Sequence, residues 1–516
     1  MTASAYTVVR MGNAVTAFLD DTLGSGAADR PAIVTPAGVT TYRELLALVG
    51  RAGNALRGLG VEPEQRVALL LPDGLDWVVT FLGALRVGAV AVPLNTRLTP
   101  GEWAALLRDS RARVLIADSA FLADLRPALT ELPHLRAVVA TGDGVTSLRE
   151  LMAAAAPECA PEAVSGDDMA FWLYTSGTTG GPKAAVHVHR SLLACRHYAI
   201  DVLQAGEQDR VFATSRLFFA YALGNALLLP LYLGARAYID PAWPEPAGVL
   251  GVLRSFAPTL FFSVPTFYGR LLRADVPRDA FASVRACVSA GERLPAELYE
   301  AWRERFGVEI LDGLGATETI FMVLSNRPGR SRAGSAGTPV PGTEVRLLDA
   351  RGRPVADGEP GVMHVRTPSM SPGYWNRLDL SRQAFAGEWF RTGDLLTRDA
   401  DGFYHHAGRD DERFKVAGQW VTPGDVEAVL LAHPGVIEAG VVGAAAERGL
   451  LKPVAFVVAR GGAEPEALAA ELGAHVDDRL PPHQRPRRIR VVEELPRTVT
   501  GKLQRYVLRE WAERTL

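Results

Sequence analysis

The residues Tyr174-Thr175-Ser176-Gly177-Thr178-Thr179-Gly180-Gly181-Pro182-Lys183 join hydroxyls, glycines and one cation in a pattern that suits an oxyanion. Glycines let backbone N–H groups approach a phosphate, hydroxyls add donors, and Lys183 adds charge. This is not a Walker A loop, which needs Gly-Lys-Ser/Thr opening a helix; here Pro182 precedes the lysine and Ala184 follows it. Two more glycine-bearing loops follow apolar runs: Ser289-Ala290-Gly291-Glu292, and Asp312-Gly313-Leu314-Gly315-Ala316-Thr317-Glu318. Loops after parallel strands are where an open α/β sheet binds ligands. Arg391-Thr392-Gly393-Asp394 precedes Gly408-Arg409. A carboxylate such as Asp394 can accept both hydroxyls of a ribose, and Arg409 can donate to the same sugar or to phosphate. Pro496-Arg497-Thr498-Val499-Thr500-Gly501-Lys502, taken alone, is an exposed basic turn.

These loops need a frame. Apolar residues at helical spacing predict helices over 42–59, 75–87 and 100–109, alternating with short apolar strands over 66–71, 89–94 and 114–117. That alternation predicts parallel α/β layers. Apolar runs over 169–173 and 184–188 flank the first loop as strands, and 152–168 reads as a loop or weak helix. A second α/β series begins at 191, with strands over 211–214, 235–239, 260–264 and 286–290. From Gly337 the strands are short and separated by Gly, Pro and Asp turns, which suggests an antiparallel, barrel-like segment. The charged tetrapeptide Gly408-Arg409-Asp410-Asp411 marks the expected boundary between a large domain, 1–410, and a small α+β domain, 411–516.

With 516 residues, 48% hydrophobic and 22% charged, the chain has room for two or more domains of ordinary globular composition. A net charge of −3 gives no global field toward nucleic acid or a membrane. Cys159, Cys195 and Cys287 are widely spaced, which argues against a disulfide framework or a zinc site and fits a reducing cytoplasm. No signal peptide is expected at the N-terminus. The apolar run over 218–235 contains Asn225 and Pro230, and reads as a buried helix followed by a strand. His187-x-His189 has no carboxylate or cysteine partner nearby in sequence and reads as structural, and the basic run over 485–490 as a solvated face.

The motif YTSGTTGGPK resembles the phosphate loop of the adenylate-forming superfamily of acyl-CoA synthetases, adenylation domains and firefly luciferase. The resemblance runs from about Thr41 to Lys502, with Ala184 standing where many members carry glycine. It implies ATP, CoA and Mg²⁺ as cosubstrates and ion. Thr175, Ser176, Gly177, Thr178, Thr179 and Gly180 would surround phosphate; Ala290, Gly291, Glu292, Asp312 and Gly313 would frame adenine; Asp394 and Arg409 would take the ribose. Thr317 would meet the α-phosphate and Glu318 would hold Mg²⁺, which suits a hard dication. Lys183 and Lys502 would offset charge as a carboxylate attacks. Asp411 matches the family's pivot, and Lys415, Gly418 and Trp420 would line the pantetheine tunnel.

Within the superfamily, the segments around 217–226 and 263–268 are similar to benzoate–CoA ligases, with anthranilate activators in the same circle. The resemblance implies an aryl-CoA ligase acting on a small aromatic carboxylate. Phe219, Ala220, Tyr221, Pro265, Gly315, Phe321 and Met322 would wall a flat slot for one ring. The Phe321 position is usually histidine in benzoate ligases, so a polar partner is missing here. Two alternatives remain: a free-standing enzyme loading an aryl group onto a carrier protein, and a non-catalytic nucleotide-binding homologue. No nucleic-acid or membrane partner is expected, and a homodimer is compatible with this reading.

Overall fold

Helix α1, Tyr42–Gly58, starts at a reciprocal capping box: Thr41 accepts from the Glu44 N–H, and the Glu44 carboxylate accepts from the Thr41 N–H at 2.8 Å. Helix α2 is Leu75–Arg86, and α3, Pro100–Ser110, repeats the box with Thr99 and Glu102. These starts agree with the helices expected from periodicity. The structure is a computed structural model and describes residues 12–142, 146–176, 181–445, 451–461, 464–497 and 503–514, without the side chain of Ser176. Contacts divide the chain into two compact units: Met1–Val345 with Val365–Arg391, and Arg346–His364 with Thr392–Leu516.

The first unit holds two sheets. Its strands are β1 Pro31–Thr35, β2 Gly38–Thr41, β3 Arg66–Leu70, β4 Val90–Pro93, β5 Val114–Asp118, β6 Ala137–Thr141, β7 Met169–Ser176 and β8 Pro182–Val188. They continue with β9 Arg210–Ala213, β10 Arg236–Tyr238, β11 Leu260–Ser263, β12 Ala286–Ser289, β13 Ile310–Gly315, β14 Met322–Ser325 and β15 Thr338–Pro339. One sheet has the order β6-β5-β3-β4-β7-β8; the other runs β15-β14-β13-β12-β11-β9-β10-β1-β2. Ladders β3–β4, β3–β5, β4–β7 and β11–β12–β13 are parallel, and β7–β8 and β13–β14 are antiparallel. The central strands are buried on both faces and accordingly read as continuous apolar runs. The β1–β2 hairpin, β6 and the helix Ser119–Leu129, which carries an internal Pro127, were not assigned from sequence.

The apolar run expected as a buried helix and strand is helix Ala220–Ala222, a widened π turn Leu223–Leu228, helix Leu229–Leu233 and then β10. No helix among the described residues is long and apolar enough to cross a membrane. The expected short strands after Gly337 form at Glu344–Leu348, Gly361–Arg366, Trp389–Arg398 and Tyr404–Arg409. The last two pair antiparallel from Asp394↔Arg409 to Arg398↔Tyr404. That ladder ties residues 404–409 to 394–398, and the contact-based division groups both with the residues that follow.

In the rest of the second unit, Val436–Ala445 and Leu451–Ala459 pair antiparallel, and Arg488–Val492 joins in parallel. Helices Pro423–Leu431, Pro465–Asp477 and Arg505–Glu513 accompany them. Arg488 and Arg490 occupy exposed positions of their strand, as the solvated-face reading expects. All three cysteines are buried and free.

Candidate active site

Strand β8 carries Lys183 and His187, four residues apart and therefore on one face. Both reach the short turn Thr317–Thr319 that follows β13. Lys183 Nζ lies 3.4 Å from Glu318 Oε1, and His187 Nε2 is 2.8 Å from the Thr317 carbonyl oxygen. Glu318 is only 7% exposed. Burial pushes the His187 imidazole down to about 4, so it is neutral at ordinary pH. The neutral ring must carry its proton on Nε2 to donate to that carbonyl. Its face stacks on Phe171, 4.8 Å between centroids.

Residues 371–375 lie along the outer edge of β8. Val186 N–H donates to the Gly373 carbonyl at 3.0 Å, and Trp375 N–H donates to the Ala184 carbonyl at 2.9 Å. Ser371 N–H donates to the Glu318 carbonyl at 2.7 Å. This docking places the Tyr374 hydroxyl 2.7 Å from Lys183 Nζ and 2.5 Å from Glu318 Oε1.

The chain after Glu318 turns sharply. Ile320 has φ 51° and ψ −41°, and Phe321 N–H donates to the Thr319 carbonyl, a γ-turn rare for a β-branched residue. Gly315 sits opposite Met322 in the β13–β14 ladder, where a Cβ would stand 2.8 Å from the Phe321 carbonyl oxygen; at Gly313 it would stand 2.7 Å from that of Leu324. Asp312 is buried, and burial pushes its carboxyl up to about 8. The Ser289 hydroxyl lies near enough to oppose that rise, although among the described residues neither Asp312 Oδ1 nor Ser289 Oγ makes a hydrogen bond of ordinary geometry. Gly291 takes φ 87°, while Glu292 Oε2 accepts from Thr266 N–H at 3.1 Å and caps the helix that starts at Pro265.

The segments expected to wall the acyl slot contribute to two hydrophobic clusters. Phe321 belongs to the large cluster that also holds Leu223 and Leu227, and the site of a Cβ on Gly224 lies 3.0 Å from its ring. Met322 belongs to a different cluster, with Tyr198 and Phe262, against which Tyr221 packs. Phe321 and Met322, adjacent in the chain, thus face two neighbouring clusters. The Tyr221 hydroxyl lies 2.9 Å from the Val288 carbonyl oxygen and 3.2 Å from that of Ser263. Phe219 precedes the helix that Ala220 begins.

In the second unit, Arg409 Nη1 is 3.1 Å from Asp394 Oδ1, and its Nε and Nη2 meet the two Asp411 oxygens at 3.1 and 3.3 Å. Burial alone would raise the Asp394 carboxyl, but His406 and Arg409 hold it below the usual range. Gly393 has φ 80°, and a Cβ there would stand 3.0 Å from Arg409 Nη2. Lys415 faces Trp420 across a two-residue hairpin, its Nζ 4.8 Å from the indole centroid. Ala417 and Gly418 both have positive φ, 49° and 81°, as a type I′ turn requires. Gly418 is therefore set by its turn, with open space where a Cβ would go.

Residues 22–375 match the AMP-binding enzyme family, and residues 425–502 match the AMP-binding enzyme C-terminal domain. The chain belongs to the AMP-binding enzyme family. It is 44% identical over 507 residues to a 4-hydroxybenzoate–CoA/benzoate–CoA ligase of Rhodopseudomonas palustris, covering 96% of this chain and 94% of that one. Its fold matches an anthranilate CoA ligase in complex with anthranoyl-AMP, with TM-score 0.91 and 39% identity over 99% of both chains. A benzoate CoA ligase from Burkholderia xenovorans matches with TM-score 0.89 and 41% identity, over 97% of this chain and 100% of that one.

Several residues assigned from the family pattern fall outside the described residues: Gly177, Thr178, Thr179 and Gly180 of the phosphate loop, and Lys502. Those described are consistent with an AMP-binding enzyme. A single buried carboxylate beside a lysine fits Mg²⁺, which takes one or two protein carboxylates and completes its shell with phosphate and water. Among the described residues no cluster of three or more metal-ligating side chains exists. His189, just past the end of β8, accepts from Ala14 N–H at 3.1 Å, so the two histidines serve separate protein partners. Tyr374 was missed from sequence; its signal was a tyrosine beside Trp375 in a Pro-Gly-led segment, a pattern that equally describes packing.

Proposed function

We propose that this AMP-binding enzyme is an aryl-CoA ligase that activates a small aromatic carboxylate with ATP and passes the aroyl group to CoA. The carrying observation is the convergence of Lys183 and Glu318 to 3.4 Å at the Thr317 turn, in a chain that matches benzoate and anthranilate ligases along nearly its whole length. The reaction brings a carboxylate onto a triphosphate, so cations must offset repulsion. Mg²⁺ held by Glu318 supplies part of that charge when bound. Lys183 supplies a second, and Lys502 a third. Thr317, whose carbonyl His187 fixes, presents its remaining groups to the α-phosphate. Asp394, kept ionised by Arg409 and His406, accepts from the ribose hydroxyls. Asp312, buried beside Ser289, would face adenine in this reading.

The substrate class is benzoate or 2-aminobenzoate. In this reading Phe321 would give the acyl slot a hydrocarbon wall, and the Tyr221 hydroxyl, which donates to the Val288 carbonyl, would keep a lone pair for an ortho donor. Transfer to CoA requires the residues from Asp411 onward to turn about that position in this reading, with Lys415, Gly418 and Trp420 along the thiol's path. A panel of substituted benzoates assayed for CoA-dependent AMP release tests the proposal. AMP formed only with a phosphopantetheinylated carrier would redirect it to a carrier-loading enzyme, and no pyrophosphate release with any single-ring acid would end it.

A further inference from the structure

The geometry points to Tyr374 as a positioning residue of adenylation: its hydroxyl acts as a spacer that keeps Lys183 and Glu318 from closing on each other. The inference rests on the reading of Lys183 and Glu318 as ATP-site groups. The roles of the three atoms are forced. An ammonium only donates and a carboxylate only accepts, so the phenol accepts from Lys183 and donates to Glu318. Lys183 Nζ then stops at 3.4 Å from the carboxylate oxygen, longer than the ~2.8 Å of a direct charge-assisted bond. Held this way, both charges are satisfied yet neither is consumed by a tight pair.

The tyrosine ring is placed independently of its hydroxyl. Tyr374 N–H donates to Ser381 Oγ at 3.0 Å, and its ring packs edge-on against Phe385, 5.4 Å between centroids. The neighbouring Trp375 stacks on Trp172 at 4.5 Å and donates from its indole to the Asp109 carbonyl at 3.0 Å. Backbone bonds to Ala184 and Val186 fix residues 373–375 along β8. Tyr374→Phe therefore removes the spacer and leaves the frame. Lys183 and Glu318 can then collapse into a direct pair, which an incoming triphosphate must break.

The test uses the full-length enzyme with benzoate or 2-aminobenzoate. Pyrophosphate–ATP exchange by Tyr374→Phe should show kcat/KM for ATP lowered on the order of 10- to 100-fold, the scale of one hydrogen bond to a charged group. The loss should sit mainly in the ATP KM, with the KM for the aromatic acid and the transfer of supplied aroyl-AMP to CoA within about twofold of wild type. Equilibrium ATP titration completes a double-mutant cycle. In a Glu318→Gln background no tight ion pair can form, so Tyr374→Phe should change the ATP Kd by less than about twofold. A wild-type ATP KM in Tyr374→Phe, or the same loss in both backgrounds, would overturn the spacer. A fall in unfolding temperature with equal losses for all three substrates would make Tyr374 a packing residue and overturn it too. If wild-type enzyme exchanges pyrophosphate with no single-ring acid, the aryl-ligase reading fails instead.

Discussion

His187→Phe should make the protein less sensitive to acid. The imidazole is 0% exposed, and burial lowers its pKa from 6.5 to about 4. Above 6.5 it is neutral in both folded and unfolded chains, and its contribution is fully present. As pH falls below 6.5 the unfolded chain takes a proton that the folded chain refuses, so stability is lost down to about pH 4. The gap of roughly 2.5 pH units, at about 1.4 kcal/mol each, is worth about 3 kcal/mol in total, and about 2 kcal/mol of it is gone by pH 5. Phenylalanine keeps the stacking on Phe171 but leaves the Thr317 carbonyl without its donor, at a cost of about 1–3 kcal/mol. Near pH 7.5 the variant should therefore unfold more easily than wild type, and near pH 5 the difference should shrink by about 2 kcal/mol. Urea unfolding at both pH values measures this. Parallel pH dependence in the two proteins would show that His187 titrates as an ordinary histidine, and the account of Thr317 being fixed by a neutral imidazole would be wrong.

The remaining predictions concern charge and space. Gly393→Ala forces a left-handed residue, at ~1–2 kcal/mol, and pushes Arg409 from Asp394; the ATP KM should rise several-fold in pyrophosphate exchange while CoA transfer from supplied aroyl-AMP is spared. Lys502→Ala should slow adenylation by on the order of 10²–10³ and leave that transfer nearly normal, and equal loss in both halves would refute a role limited to adenylation. Gly224→Ala places a methyl 3.0 Å from the Phe321 ring; turnover of benzoates should fall, within the roughly 10–200-fold range of a methyl-scale clash, with octanoate poorly used by both proteins. Efficient octanoate turnover by wild type would remove Phe321 and Tyr221 from the acyl pocket.

Much of the frame was legible because it depends on local pattern. The capping boxes at Thr41–Glu44 and Thr99–Glu102 fix helix starts within a single turn, and the expected starts at 42 and 100 are observed. Buried parallel strands announce themselves as apolar runs, and β3, β4, β5, β11 and β12 follow that rule. The helix Ser119–Leu129 was missed because Pro127 breaks the pattern near its end, while tertiary packing around Leu125 holds it. The contact-based division at Arg391–Thr392 has no mark in the composition, because it follows from the antiparallel pairing of residues 394–398 with 404–409.

The site divides the same way. Loop chemistry at Lys183, Glu318 and Asp394 could be inferred from residue type because each lies in a short motif. The bonds that orient them span 191 residues from Lys183 to Tyr374, 56 from Tyr374 to Glu318 and 130 from His187 to Thr317. No local pattern encodes such partners. What the sequence did contain was the alternation of β8, which puts Lys183, Ala185 and His187 on one face. Once that face is known to look onto the turn after β13, His187 can no longer be counted as an isolated core histidine. Its ring and the Lys183 amine grip adjacent residues of the same turn, so a single strand sets both the position of Glu318 and the charge beside it. A register slip of one residue in β8 would turn both groups to the opposite face, which makes the β7–β8 pairing as necessary to the chemistry as the side chains it carries.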